Sequence, residues 1–99
     1  MKLLFVCTAN QLRSPTAAAV FADEHETLSA GLSPFSPFPV NQGAVDWADK
    51  VFCFEDKQFK KLKKKFGVRA TNLGVSDDYV RHVPELVRLL KEKVPQFLD

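Results

Sequence analysis

The sequence predicts an α/β fold, a three-layer sandwich with a four-stranded parallel sheet between layers of helices. Short apolar runs alternate with amphipathic segments in the order strand, helix, strand, short helix, strand, helix, strand, helix. Alternation of this kind favours a parallel sheet covered on its faces by helices. A chain of 99 residues allows one domain, spanning 1–99. Its 45% apolar and 26% charged residues match an ordinary globular protein rather than a disordered one.

The elements follow in order. Residues 2–6 (KLLFV) are an apolar run and read as a buried strand. Residues 7–13 (CTANQLR) break that pattern, and Ser14-Pro15 reads as a helix start, with Ser as cap and Pro in the first turn. This helix should run through Ala17, Ala18, Ala19, Phe21 and Ala22 and fray near His25. Thr27 to Ala30 form a second strand ended by Gly31. Pro34, Pro37 and Pro39, with Phe35 and Phe38 between them, exclude helix and strand interior from 32–42. A short helix is expected over 43–48 and a third strand over 50–54 (KVFCF). The lysine-rich stretch Asp56 to Phe66 is a helix ended by Gly67. Val68 to Leu73 is a weaker fourth strand, and Gly74 to Val83 a loop holding Asp77, Asp78 and Tyr79. Pro84 to Leu98 is a last helix that Pro95 should kink or shorten.

In parallel sheets ligands sit beyond the carboxyl ends of the strands, so the loop after the first strand is the prime candidate site. Backbone amides there can turn inward and cradle an anion at a helix N-terminus, where the helix dipole adds positive potential. Thr8, Ala9, Asn10, Gln11 and Leu12 make up that loop. The same field favours the thiolate of Cys7, a nucleophile. Arg13 can fork onto two phosphate oxygens. Ser14 can donate to the thiolate and help it leave. Nucleophile, anion cradle and guanidinium thus fall between Cys7 and Ser14. A bare Cys-x5-Arg is a weak signal, but an apolar strand before it and Ser-Pro after it strengthen the reading.

The run LLFVCTANQLRSP resembles the opening of the low-molecular-weight protein tyrosine phosphatase family, an apolar strand followed by Cys-x-Gly-Asn-x-Cys-Arg-Ser-Pro and an Ala-rich helix. Ser29-Ala30-Gly31, Val51 to Asp56 (VFCFED) and Asp77-Asp78-Tyr79 are similar to further stretches of that family, so the resemblance touches most of the chain. It implies a sheet of order 2-1-3-4 with the phosphate-binding loop after strand 1. It also implies Cys7 as nucleophile, Arg13 as phosphate clamp, Ser14 as activator of the thiolate and Asn10 as the residue holding the loop backbone. Asp77 aligns with the general acid, with Asp78 the alternative because it stands where the family has Pro; Tyr79 would edge the site. The implied activity is metal-independent, cofactor-free hydrolysis of phosphomonoesters, protein phosphotyrosine first, through a phosphocysteine intermediate. Ala9 stands for a family Gly and limits backbone freedom. Leu12 stands for a second Cys, so the family's loop disulfide cannot form and Cys7 should over-oxidise readily. The chain is shorter than typical members, mostly between Gly31 and Asp46, where the family carries pocket walls; Phe35 and Phe38 could replace these or simply pack.

Other features exclude or qualify. No apolar run is long enough for a membrane span, and Met1 to Cys7 is too short for a signal peptide. The cytoplasm is therefore the expected compartment, with Cys7 and Cys53 as reduced thiols. Cys53 lies in an apolar strand and reads as a buried thiol, which counts against arsenate reduction relayed between cysteines. His25 and His82 lack partners at metal-ligand spacing, Trp47 reads as core, and no metal is expected. Lys57, Lys60, Lys61, Lys63, Lys64 and Lys65 form either a solvated face, the favoured reading, or a patch for phosphoprotein, nucleic acid or acidic lipid. The expected partner is a phosphorylated protein, with the chain a monomer or weak dimer. The alternatives are a phosphatase for nucleotide or nucleic-acid phosphate, and a phosphate-binding module with weak catalysis.

Overall fold

The computed structural model describes residues 1–76 and 83–98. Four strands, β1 (Lys2–Cys7), β2 (Glu26–Gly31), β3 (Lys50–Cys53) and β4 (Thr71–Asn72), form one sheet in the order β2-β1-β3-β4. Every pairing is parallel: Leu4 lies between Leu28 and Val51, and Phe52 beside Thr71. The helices are α1 (Arg13–Phe21), α2 (Gln42–Trp47), α3 (Asp56–Phe66) and α4 (Val83–Lys93), the last passing into a 3-10 turn at Val94–Phe97 around Pro95.

Alternation along the strands sorts the core onto two faces. Leu3, Phe5, Cys7 and Phe52 pack on one face with Ala17 and Phe21 of α1 and Leu86 and Leu90 of α4. Phe5 stacks between Phe21 and Phe52, with ring centroids 6.1 and 5.2 Å away. Leu4, Val6, Val51 and Cys53 pack on the other with Ala44 and Val45 of α2 and Leu62 of α3. The expected three layers and sheet order are thus observed.

Boundaries differ in informative ways. Ser14 does not cap α1: the helix begins at Arg13, two residues before the expected Pro15, its cap position Leu12 makes no side-chain bond, and the Ser14 hydroxyl turns into the site instead. The fourth strand is shorter than expected because Gly67, in left-handed conformation, ends α3 and the chain meets β3 only at Thr71. The Leu73 and Val75 amides still donate to Cys53 and Phe54, so the chain follows the sheet edge toward the site. The proline-rich segment folds back on β2: Gly31 N–H donates to Phe38 O, and Val40 N–H to Gly31 O, both at 2.8 Å. Phe35 is 94% exposed and Phe38 is also exposed, so neither packs in the core. Trp47 is only half-buried, with the Lys2 ammonium 6.0 Å from its ring, rather than a core residue. Among the described residues no helix is long and apolar enough to cross a membrane.

Candidate active site

The loop between β1 and α1 lies at the carboxyl end of an inner strand of the sheet. Outer contacts hold it: Leu32 N–H donates to Cys7 O and Ser33 N–H to Thr8 O, each at 2.9 Å. These bonds consume the first loop carbonyls on the side of the 32–33 segment. Asn10 then takes a φ of +52°, a left-handed conformation that Asn tolerates better than most residues and that reverses the chain. The resulting pocket, about 720 Å³, is lined by Cys7, Thr8, Ala9, Gln11, Leu12 and Arg13 on the loop side. Leu32, Glu55, Lys57, Gln58 and Lys61 form the opposite wall.

Beneath the loop, Ser14 Oγ lies 3.0 Å from Cys7 Sγ and donates to Asn10 Oδ1 at 2.7 Å. A hydroxyl carries one proton. While Ser14 gives it to Asn10, the Cys7 thiol can donate to Ser14; once Cys7 is ionised, the hydroxyl can turn its proton to the sulfur. Ser14 is fully buried and Cys7 nearly so, so their contact is shielded from bulk water.

Arg13, 6% exposed, enters from the first turn of α1. Its Nη1 donates to Glu55 Oε2 at 2.6 Å and to Val75 O at 3.0 Å, and its guanidinium carbon lies 5.7 Å from the centre of the Phe54 ring. Glu55, just beyond β3, thus shares the pocket wall with the arginine. Gln58 fixes that corner: its Oε1 accepts from the Phe54 and Glu55 amides at 2.7 and 3.2 Å, the return bond of a capping box, and its Nε2 donates to Thr8 Oγ1 at 3.2 Å.

Cys7, Arg13, Ser14 and Asn10 are therefore brought together, and Thr8, Ala9, Gln11 and Leu12 line the same pocket. Asp77, Asp78, Tyr79 and His82 lie outside the described residues. Phe35 and Phe38 do not line the pocket, and no lining residue is aromatic among those described. Glu55, Gln58, Lys57 and Lys61 were not anticipated at the site. The available signal was Glu55 at a strand's carboxyl end with Gln58 three residues on. Cys53 is buried on the opposite sheet face from Cys7, so the two thiols cannot pair without rearrangement. Burial pushes the Cys53 thiol up from 9.0 to about 11, against a backbone hydrogen bond at Glu55 that lowers it. Among the described residues no cluster of His, Cys, Asp and Glu could hold a metal ion.

No family model and no curated relative matches the sequence. Solved structures do. A YwlE mutant from Bacillus subtilis superposes with a TM-score of 0.77 at 22% identity, over 100% of this chain and 99% of that one. SP-PTP, the low molecular weight protein tyrosine phosphatase of Streptococcus pyogenes, gives 0.79 at 16% identity over 99% and 93%. The YwlE arginine phosphatase of Geobacillus stearothermophilus gives 0.72 at 22% over 96% and 93%. The chain shares the fold of the low molecular weight protein tyrosine phosphatases.

Proposed function

We propose that the protein is a metal-independent cysteine phosphatase that removes phosphoryl groups from phosphorylated protein. The observation that carries this reading is the buried chain Cys7–Ser14–Asn10 under a loop whose last residue is the buried Arg13. Anion binding comes from the loop amides and the α1 N-terminus. Arg13 adds Nε and Nη2, the part of its fork not used in the bonds to Glu55 and Val75. Cys7 Sγ attacks phosphorus as the bond to the leaving oxygen breaks, and Asp77 protonates that oxygen; Asp78 is the alternative acid. Water activated by the same carboxylate then attacks the phosphocysteine, and Ser14 donates to the departing thiolate. Support for the acid comes from the resemblance of Asp77-Asp78-Tyr79 and from Val75, two residues upstream, being bonded to Arg13.

Phosphotyrosine is the first substrate reading. Protein phosphoarginine is the second, favoured by two observations: the described pocket wall carries the Glu55 carboxylate and no aromatic ring, and one structural neighbour is an arginine phosphatase. The test is hydrolysis of p-nitrophenyl phosphate without metal by wild type, Cys7→Ser, Asp77→Asn and Asp78→Asn, followed by phosphotyrosyl and phosphoarginyl peptides. Turnover lost in Cys7→Ser and blocked by vanadate is the expected result, and the more damaging Asp change identifies the acid. Phosphate binding without turnover of any of these substrates overturns the reading in favour of a binding module.

A further inference from the structure

We infer that α3 extends the phosphate pocket into a cationic track that selects phosphorylated peptides with acidic residues beside the phosphorylated position. This inference rests on the phosphatase reading of the pocket and names its substrate class more closely. Lys57 and Lys61 stand in the wall of the Cys7 pocket, and Lys61, Lys64 and Lys65 line a second hollow that shares Leu32 and Lys61 with the first. The two hollows therefore adjoin, with Leu32 and Lys61 between them. Spacings of four, seven and eight residues from Lys57 put these side chains on one side of the helix, away from the buried Leu62. Lys57 to Lys64 spans about 10 Å of helix axis, a length matched by roughly three extended peptide residues.

Helix stability alone does not account for the row. Lys63, Lys64 and Lys65 occupy the last turn, where the helix dipole favours cations, but Lys57 is in the first turn, where it disfavours them. Among the described residues none of the α3 lysines forms an ion pair. Among the described residues Glu55 is the one carboxylate lining either hollow, and Arg13 holds it. A row of unneutralised cations leading from an anion pocket is complementary to a ligand with several negative charges spaced along it. Acidic peptide fits better than nucleic acid, because no aromatic ring for base stacking lines either hollow among the described residues.

The test compares kcat/KM on p-nitrophenyl phosphate and on two phosphotyrosyl peptides, one flanked by three Glu and one by neutral residues. The variant is Lys64→Gln/Lys65→Gln, whose side chains lie outside the Cys7 pocket. Wild type should favour the acidic peptide about tenfold at low salt, an advantage that shrinks as salt rises. The variant should lose that preference and hydrolyse p-nitrophenyl phosphate as wild type does. Equal rates on both peptides in wild type, or a preference that survives in the variant, would overturn the inference. If wild type hydrolyses nothing, the phosphatase reading fails, and peptide binding to Cys7→Ser by fluorescence anisotropy decides the track separately. Tighter binding of the acidic peptide supports it. Equal binding, or single-stranded RNA binding more tightly than the acidic peptide, overturns it.

Discussion

Glu55 serves two partners. Its carboxylate neutralises the buried Arg13, and it stands in the wall of the pocket where an anion would have to sit. On the proposed reading, bound phosphate and Glu55 would draw on one guanidinium and repel each other. Replacing Glu55 by Gln keeps the side chain's shape and removes the charge. Inorganic phosphate should then inhibit at roughly fivefold lower concentration, about 1 kcal/mol of relieved repulsion across a part-exposed site. Because the carboxylate is a third exposed, the stability lost with the pair should be modest, about 1–2 kcal/mol by denaturant unfolding. Weaker phosphate inhibition in Glu55→Gln would instead mean that the carboxylate chiefly orients the arginine. This pairing was illegible in the sequence because its partners lie 42 residues apart. Cys7, Arg13 and Ser14 were legible because they arise within one loop, although Ser14 read both as a helix cap and as a partner of the thiol. A cap and a thiol partner use the same hydroxyl, and only the tertiary position of Cys7 decides between them.

At the scale of elements, the β1–α1 loop depends on the proline-rich segment beside it, which gives the pocket only Leu32. The start of the proline-rich segment ties Cys7 and Thr8 through the amides of Leu32 and Ser33, and Gly31 makes that approach possible. A Cβ on Gly31 would lie 2.6 Å from Ser36 Cβ, closer than side chains tolerate, and in tight contact with the Thr8 carbonyl at 3.0 Å. Gly31→Ala should therefore destabilise by about 1–3 kcal/mol. It should also raise KM for p-nitrophenyl phosphate, because relief of the clash moves Thr8 or the 33–36 turn. A thermal melt and a Michaelis curve on the same sample check both effects; unchanged values of both would show that the turn yields at no cost. The limits of sequence reading have the same physical origin. The alternation of apolar runs exposes β1, β3 and α3 plainly, since each buries its own pattern. β4 is defined by pairing to β3 and is shorter than its apolar run. Phe35 and Phe38 offered themselves as wall or core residues, yet the prolines around them hold the chain in an outward turn pinned by Gly31, which leaves Phe35 in solvent and Phe38 partly exposed.

For the whole molecule, the sheet separates its two thiols into different chemical settings. Cys7 closes the α1–α4 face at the mouth of the pocket, whereas Cys53 is sealed between β3 and the α2–α3 layer with no exposed surface. Ionising Cys53 in place would put a charge in an apolar layer, hence its rise from 9.0 to about 11. The folded state therefore holds this proton more tightly than the unfolded chain does. The resulting stability is complete below pH 9.0, where both states are protonated, and is lost as pH climbs through about 11. The loss should be on the order of 2 kcal/mol, read as a falling urea midpoint. Alkaline pH acts on the rest of the chain as well, so the discriminating measurement is the difference from Cys53→Ala. That variant should start about 1–2 kcal/mol less stable at pH 8, through the cavity it leaves. It should then lose less stability on going to alkaline pH, so that the two curves converge. Parallel curves would show that the Cys53 thiolate is tolerated in the core or reached by water, contrary to the sealed layer between β3 and α3.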